Sequence, residues 1–379
     1  MGTDQQYRSY ALDGLRGVAA VAVIFYHSIL HHEVLVQTVL PIPIQDLASS
    51  SERWIKFFLS VFNGNNAVLL FFVLSGFVLN LSLHRMASAH FPSVATRFVL
   101  RRATRLYPAM FFCMFCYYLL SVLYYQMGWN GVTPPDMWAA FKNATLVEIT
   151  WHGPSRTIQA ELLAVPILLV AFLLNRWLGA VGLFIAFCYS VFAFEQPWMV
   201  LSLPFMNAWA PAFLVGFMIA DGRLSRFFAG VTTVQMVVLL LAAVFFRMFT
   251  NLDNLSSAIG EILIAAAVVG FVYYGDNSNG VIRILNSKSL LYLGRISYSL
   301  YLLNVLWLLV VWSLVDPLGV YAKYPLVTGL IVGTVVTLLS LPVASFSERI
   351  FEQGGVKLGS FLTRGRRPPL GDPAVHAAP

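Results

Sequence analysis

Charged residues are scarce in this 379-residue chain: they make up 11% of it, about half the share typical of a soluble domain. Beside 59% hydrophobic residues and a mean hydropathy of +0.75, that scarcity excludes an ordinary soluble protein. Several apolar runs are long enough to cross a bilayer as helices. Cysteine is equally sparse. Cys113, Cys116 and Cys188 all fall in apolar segments, and no histidine or further cysteine accompanies the close pair Cys113 and Cys116. Packing against lipid or protein is therefore preferred for them over metal or disulfide chemistry. No small-residue cleavage site follows the first apolar run, so it reads as a retained helix rather than a signal peptide. No internal repeat and no attached soluble catalytic module are seen.

What is present predicts an all-α, polytopic membrane protein of about ten transmembrane helices. The expected spans are residues 12–31, 66–83, 105–127, 158–175, 178–194, 203–220, 231–249, 257–274, 296–315 and 325–346. The net charge of +7 is mostly topology. With the N-terminus inside, eighteen of the 24 Lys and Arg residues fall on the inner side and six on the outer. The positive-inside rule then puts both termini in the cytoplasm and leaves no footprint for nucleic acid. Residues 1–353 form one membrane domain in this reading, and 354–379 a short disordered cytoplasmic tail, rich in Pro, Gly and Arg near its end. Both long loops, 32–65 and 128–157, lie outside. SSSERWIKFFLSVF in the first has the apolar spacing of an interfacial helix behind a serine cap.

Ionisable residues at membrane depth are costly and usually functional. Arg16 and His27 share the first span, in LDGLRGVAAVAVIFYHSIL, about 16 Å apart along a helix axis. A snorkelling arginine and a structural histidine is the bland alternative. Glu161, near the outer end of the fourth span, is expected at the depth of His27, where a carboxylate contact would raise imidazole basicity. A helix-capping role competes with that. In RFVLRRATRLYP, Arg97, Arg101, Arg102 and Arg105 enforce orientation. Arg101 and Arg105 also share a helical face suited to a phosphate. LGRISYSLYLLN carries Arg295, Ser297, Tyr298, Tyr301 and Asn304, whose hydroxyls most often bond across helices. His31, His32, His84 and His90 lie in loops or at edges and need no special role.

Together these segments resemble the acyltransferase-3 family of integral-membrane acyltransferases, which O-acylate carbohydrates of bacterial envelopes. Arg16 and His27 match the family's arginine, ten residues, then histidine, preceded by LDGLRG. FFVLSGFVL at 71–79, RRATRLYP at 101–108, GPSRTIQAE at 153–161 and LGRISYSLYLLN at 293–304 are similar to its later motifs, in order. The resemblance covers about residues 7–353. It departs from the family at Arg156, where tryptophan is frequent, and at Asn304, where a late histidine is common. A fused extracytoplasmic esterase-like domain, found in some members, is not expected here.

The resemblance implies acyl transfer, acetyl first among the candidates, from cytoplasmic acyl-CoA to a hydroxyl of an envelope or exported carbohydrate or glycolipid. The setting is the bacterial plasma membrane, with membrane lipids around the spans. No cofactor is permanently bound and no metal is expected. Arg16, Arg101, Arg102 and Arg105 would hold acetyl-CoA or another acyl-CoA at the inner side. His27 and Glu161 would be catalytic, with His27 as general base or acyl-imidazole nucleophile. Ser75, Tyr298 and Asn304 would support substrate or structure. The rival reading is a transporter of a small anion or lipid-linked sugar using the same buried charges. A third is an inactive relative acting as a scaffold.

Overall fold

A computed structural model describes residues 3–86, 90–129, 134–250 and 255–363. Every regular element among them is helical. The major helices are α1 (Thr3–Ile29), α2 (Ser50–Val61), α3 (Gly64–His84), α4 (Phe91–Gln126), α5 (Ser155–Leu178) and α6 (Ala180–Phe192). They continue as α7 (Met206–Ala220), α8 (Thr233–Phe249), α9 (Leu255–Tyr274), α10 (Lys288–Val315), α11 (Pro325–Ser347) and α12 (Gln353–Leu362).

Among the described residues, seven helical stretches are long and apolar enough to cross a membrane. Shorter apolar helices cover Ala180–Glu195, Met206–Ala220 and Thr233–Phe249, in the regions of the fifth, sixth and seventh expected spans. The distribution of side chains inverts that of a soluble protein. Val170, Phe184, Phe192, Ile331 and Leu338 stand exposed, whereas Asn80, Arg102, Ser299, Asn304 and Ser347 are buried. Hydrocarbon as solvent accounts for both halves of that pattern, since polar groups there must find partners inside the protein. The chain is a polytopic, all-helical membrane protein.

α1 lies at the centre, packed against α10, α11 and α3; α3 in turn packs on α7 and α9. Close approach of α1 and α10 depends on glycine. A Cβ on Gly294 would sit 1.9 Å from the Asp13 carbonyl oxygen, and one on Gly17 would lie 2.7 Å from the Gly294 nitrogen. Backbone against backbone at the small residues is the usual way helices approach closely without a soluble-type hydrophobic drive. Here it brings Arg16 beside Arg295 and Tyr298, which line the same cavity.

The serine-capped helix is present as α2. Ser49 Oγ accepts the Glu52 N–H at 3.1 Å while Glu52 Oε2 accepts the Ser49 N–H at 3.0 Å, satisfying two of the terminal donors reciprocally. The loop at 128–157 contains a short helix, Met137–Ala144, capped by Asp136.

The expectation of a disordered tail from residue 354 is corrected over its first part. A π-helical turn, Glu348–Glu352, joins α11 to α12, and α12 packs on α4. Pro108 inside α4 has no N–H to offer the Thr104 carbonyl, four residues back. A Cβ on Gly355 would stand 2.0 Å from that same carbonyl oxygen, so only a glycine lets α12 approach it. The rest of the expected tail, from residue 364, lies outside the described residues.

Candidate active site

Arg16 and His27 are carried on one unbroken helix. Eleven residues at about 100° each amount to three turns plus about 20°, so the two side chains share a face roughly 16 Å apart along the axis. They open into different cavities.

At the Arg16 end, a vestibule of about 510 Å³ is lined by Asp13, Arg16, Arg105, Lys288, Arg295, Tyr298 and Glu352, among others. Four cations face two carboxylates, so the vestibule favours an anion. The π-helical turn places Glu352 in its wall, where the carboxylate accepts the Ser299 N–H at 3.1 Å and the Ser299 hydroxyl. Deeper, a narrow extension is lined by Arg16, Phe71, Ser75, Arg102, Arg105, Glu161 and Tyr298. Arg102 Nη2 donates to Ser75 Oγ at 2.8 Å and to Glu161 Oε2 in a buried ion pair. The Tyr298 hydroxyl donates to the Leu106 carbonyl at 2.9 Å, fixing α10 against α4.

At the other end, His27 faces a cavity of about 550 Å³ with Tyr26, Asn65, Arg156, Thr157, Trp209, Arg247, Glu261 and Tyr301 in its wall. The imidazole is exposed, and its accessible surface opens into this space. It stands edge-on to the Tyr26 ring at 5.6 Å and makes no hydrogen bond among the described residues. Both ring nitrogens are therefore uncommitted. The hydroxyls of Thr157 and Tyr301 are 2.8 Å apart in the same wall. No residue lines both this cavity and the narrow extension; the Phe71 and Tyr301 rings, 5.9 Å apart, stand between them.

The structure thus brings Arg16, Ser75, Arg102, Arg105, Glu161 and Tyr298 together and sets His27 apart. Three expectations change. Glu161 pairs with Arg102 rather than His27, since α5 turns it toward the arginine helix. Arg101 lies outside both cavities at the Arg16 end and donates to Thr363 Oγ1 at 2.8 Å, so Arg105 does not share a clamp with it. Asn304 is wholly buried and bonds back to the Leu300 and Tyr301 carbonyls of its own helix, at 3.0 and 2.7 Å. It touches neither cavity.

Residues the sequence did not single out also matter. His152 is buried before α5. Its Nε2 donates to the Leu302 carbonyl at 3.0 Å, so Nδ1 accepts the Ser155 hydroxyl at 2.7 Å. Burial lowers its pKa to about 4 and keeps it neutral, a clamp between α5 and α10 beside the Thr157–Tyr301 contact. Its only sequence signal was its place just before GPSRTIQAE. His31 donates to Asp316 at 2.9 Å and stacks on Trp312 at 3.7 Å. With His32 these groups put their ligand atoms within 4.8 Å of one another, the only set among the described residues spaced to hold a metal ion.

Comparison with known families decides the class. An Acyltransferase domain model matches residues 9–345, most of the chain. The protein belongs to the acyltransferase-3 family. No curated protein and no solved structure matches it. This acyltransferase is a multi-pass membrane enzyme whose matched region includes the narrow extension, the His27 cavity, the ion pair between α4 and α5, and α1 from residue 9 on.

Proposed function

We propose that this acyltransferase moves an acyl group, acetyl in the simplest case, from acyl-CoA to a carbohydrate hydroxyl. The observation that carries the reading is His27: an uncommitted imidazole opening into a cavity, on the same helical face as an arginine in a basic vestibule. Arg16, Arg105, Lys288 and Arg295 suit the phosphates of coenzyme A, which are best held by several cations. The excess of basic residues in the loops on that side supports a cytoplasmic vestibule, where acyl-CoA is made, and a bacterial inner membrane fits this arrangement. The pantetheine arm, extended, spans the roughly 16 Å to His27 on chain-reach grounds. Its route crosses the Phe71–Tyr301 contact, so one of these rings swings aside when donor enters.

In the transfer, the acceptor hydroxyl oxygen attacks the thioester carbonyl carbon while His27 takes its proton. The tetrahedral oxyanion forms beside the Tyr301 hydroxyl, which donates to it while its own oxygen accepts from Thr157. Collapse breaks the C–S bond, and the imidazolium returns the proton to the thiolate, leaving ester and free CoA. Arg102 and Glu161 neutralise each other and hold α4 to α5 around the donor path.

The test is transfer of radiolabelled acetyl from acetyl-CoA to surface glycan in membranes carrying the full-length protein. His27→Ala should abolish product while the solubilised variant keeps its thermal stabilisation by CoA. Product at the unsubstituted level would overturn the reading.

A further inference from the structure

The His27 cavity carries a charge pattern that the transfer chemistry does not use. Its wall holds two guanidinium groups, Arg156 from α5 and Arg247 from the last turn of α8, against one carboxylate, Glu261 of α9. Arg247 is 3% exposed. Its Nε lies 3.6 Å from Glu261 Oε1, beyond hydrogen-bonding distance, and that oxygen already accepts from Asn63 Nδ2 at 3.1 Å. Nη2 of Arg247 has no partner among the described residues. Arg156 pairs with no carboxylate among the described residues. Its guanidinium carbon sits 5.2 Å over the Phe205 ring, a contact through the flat face that leaves the N–H edge free.

A buried guanidinium with an unmade hydrogen bond is costly, and more so at membrane depth. Nothing in the attack on a neutral sugar hydroxyl calls for two arginines there. A planar, forked donor is matched instead by an oxyanion. We infer that the acceptor is acidic: it bears a uronate carboxylate or a glycosyl phosphate, which Arg247 and Arg156 hold so that a neighbouring hydroxyl meets His27. This rests on the acyl-transfer reading and names the substrate class of that same cavity. It also gives a task to Arg156, one of the two positions at which the chain departs from the pattern of the family it resembles.

The experiment uses thermal unfolding of the solubilised full-length protein with methyl β-D-glucuronide, glucose 1-phosphate and methyl β-D-glucoside as probes. One of the two anions should stabilise at concentrations roughly tenfold to a hundredfold below the neutral glucoside, the range expected for a charge-assisted bond. Which anion does so separates carboxylate from phosphate. Arg156→Gln and Arg247→Lys should each remove that selectivity while leaving stabilisation by CoA intact. Arg156 is exposed, so its variant decides the matter if Arg247→Lys does not fold. Equal effects of glucoside and anions, no effect of either anion, or unchanged selectivity in Arg156→Gln overturns the inference. An anion carried by the donor instead would show as loss of succinyl-CoA turnover, with acetyl-CoA turnover unchanged, in both variants; that also overturns it. Product formation by His27→Ala tests the transfer reading separately, because glucuronide binding does not require the chemistry to run.

Discussion

Arg102 and Glu161 form a buried ion pair beside the proposed donor path. Arg102 is 8% exposed and Glu161 14%, and Ser75 takes up part of the remaining donor capacity of the guanidinium. Removing one partner of such a pair leaves the other charge buried and unpaired, at a cost of about 3–5 kcal/mol. Arg102→Met should therefore lower the melting temperature in detergent markedly, and Arg102→Met combined with Glu161→Leu should recover much of the loss. A double variant no better than the single one would mean that the arginine acts through contacts other than the glutamate. Counting residues from the membrane edge gives Glu161 the depth of His27 and so makes a contact between them conceivable. Depth alone does not say which way a residue faces, and the partner, Arg102, is 59 residues away in the chain.

α12 shows where element boundaries could and could not be read. The apolar runs were legible because a bilayer demands about twenty apolar residues in helical form, and a helix occupies each expected span. The end of the last helix was not, because Gly354 and Gly355 look like the start of a flexible tail. Their neighbours separate them. Nothing lies within 4 Å of a Cβ added to Gly354, whereas one on Gly355 meets the Thr104 carbonyl. Gly354→Ala should thus leave stability unchanged or raise it by up to about 1 kcal/mol through helix propensity. Gly355→Ala should force α12 off α4, costing about 1–3 kcal/mol as overpacking does. Because Glu352 precedes α12 by one residue, the vestibule should loosen too, and stabilisation by CoA should weaken. Identical melting curves for the two variants would show that α12 does not dock as described.

At the scale of the molecule, the two ends of α1 serve different compartments in the proposed reaction. In a cysteine-free background, Asn65→Cys in the His27 cavity should react with a membrane-impermeant maleimide in intact cells. Lys288→Cys in the vestibule should react only after the membrane is opened. The reverse pattern would invert the orientation read from the basic loops. That the chain carries a basic entrance and a distant histidine was legible from their spacing on one helix. That they open into separate chambers was not, since the partition is made by Phe71 of α3 and Tyr301 of α10, two aromatic residues among many.

The partition has an electrical consequence. Two water-accessible cavities reaching toward each other from opposite faces would, if joined, short-circuit the membrane potential, worth about 2.3 kcal/mol per elementary charge at 100 mV. Between them lie two packed rings, with the neutralised Arg102–Glu161 pair on the vestibule side and a fixed cation, Arg16, at its mouth. Hydrophobic constriction and fixed positive charge are the devices by which pores exclude protons and cations. In the proposed reaction, the enzyme with no donor in place is thus an insulator, and a slender acyl-pantetheine arm is the kind of cargo that could pass such a barrier while filling it.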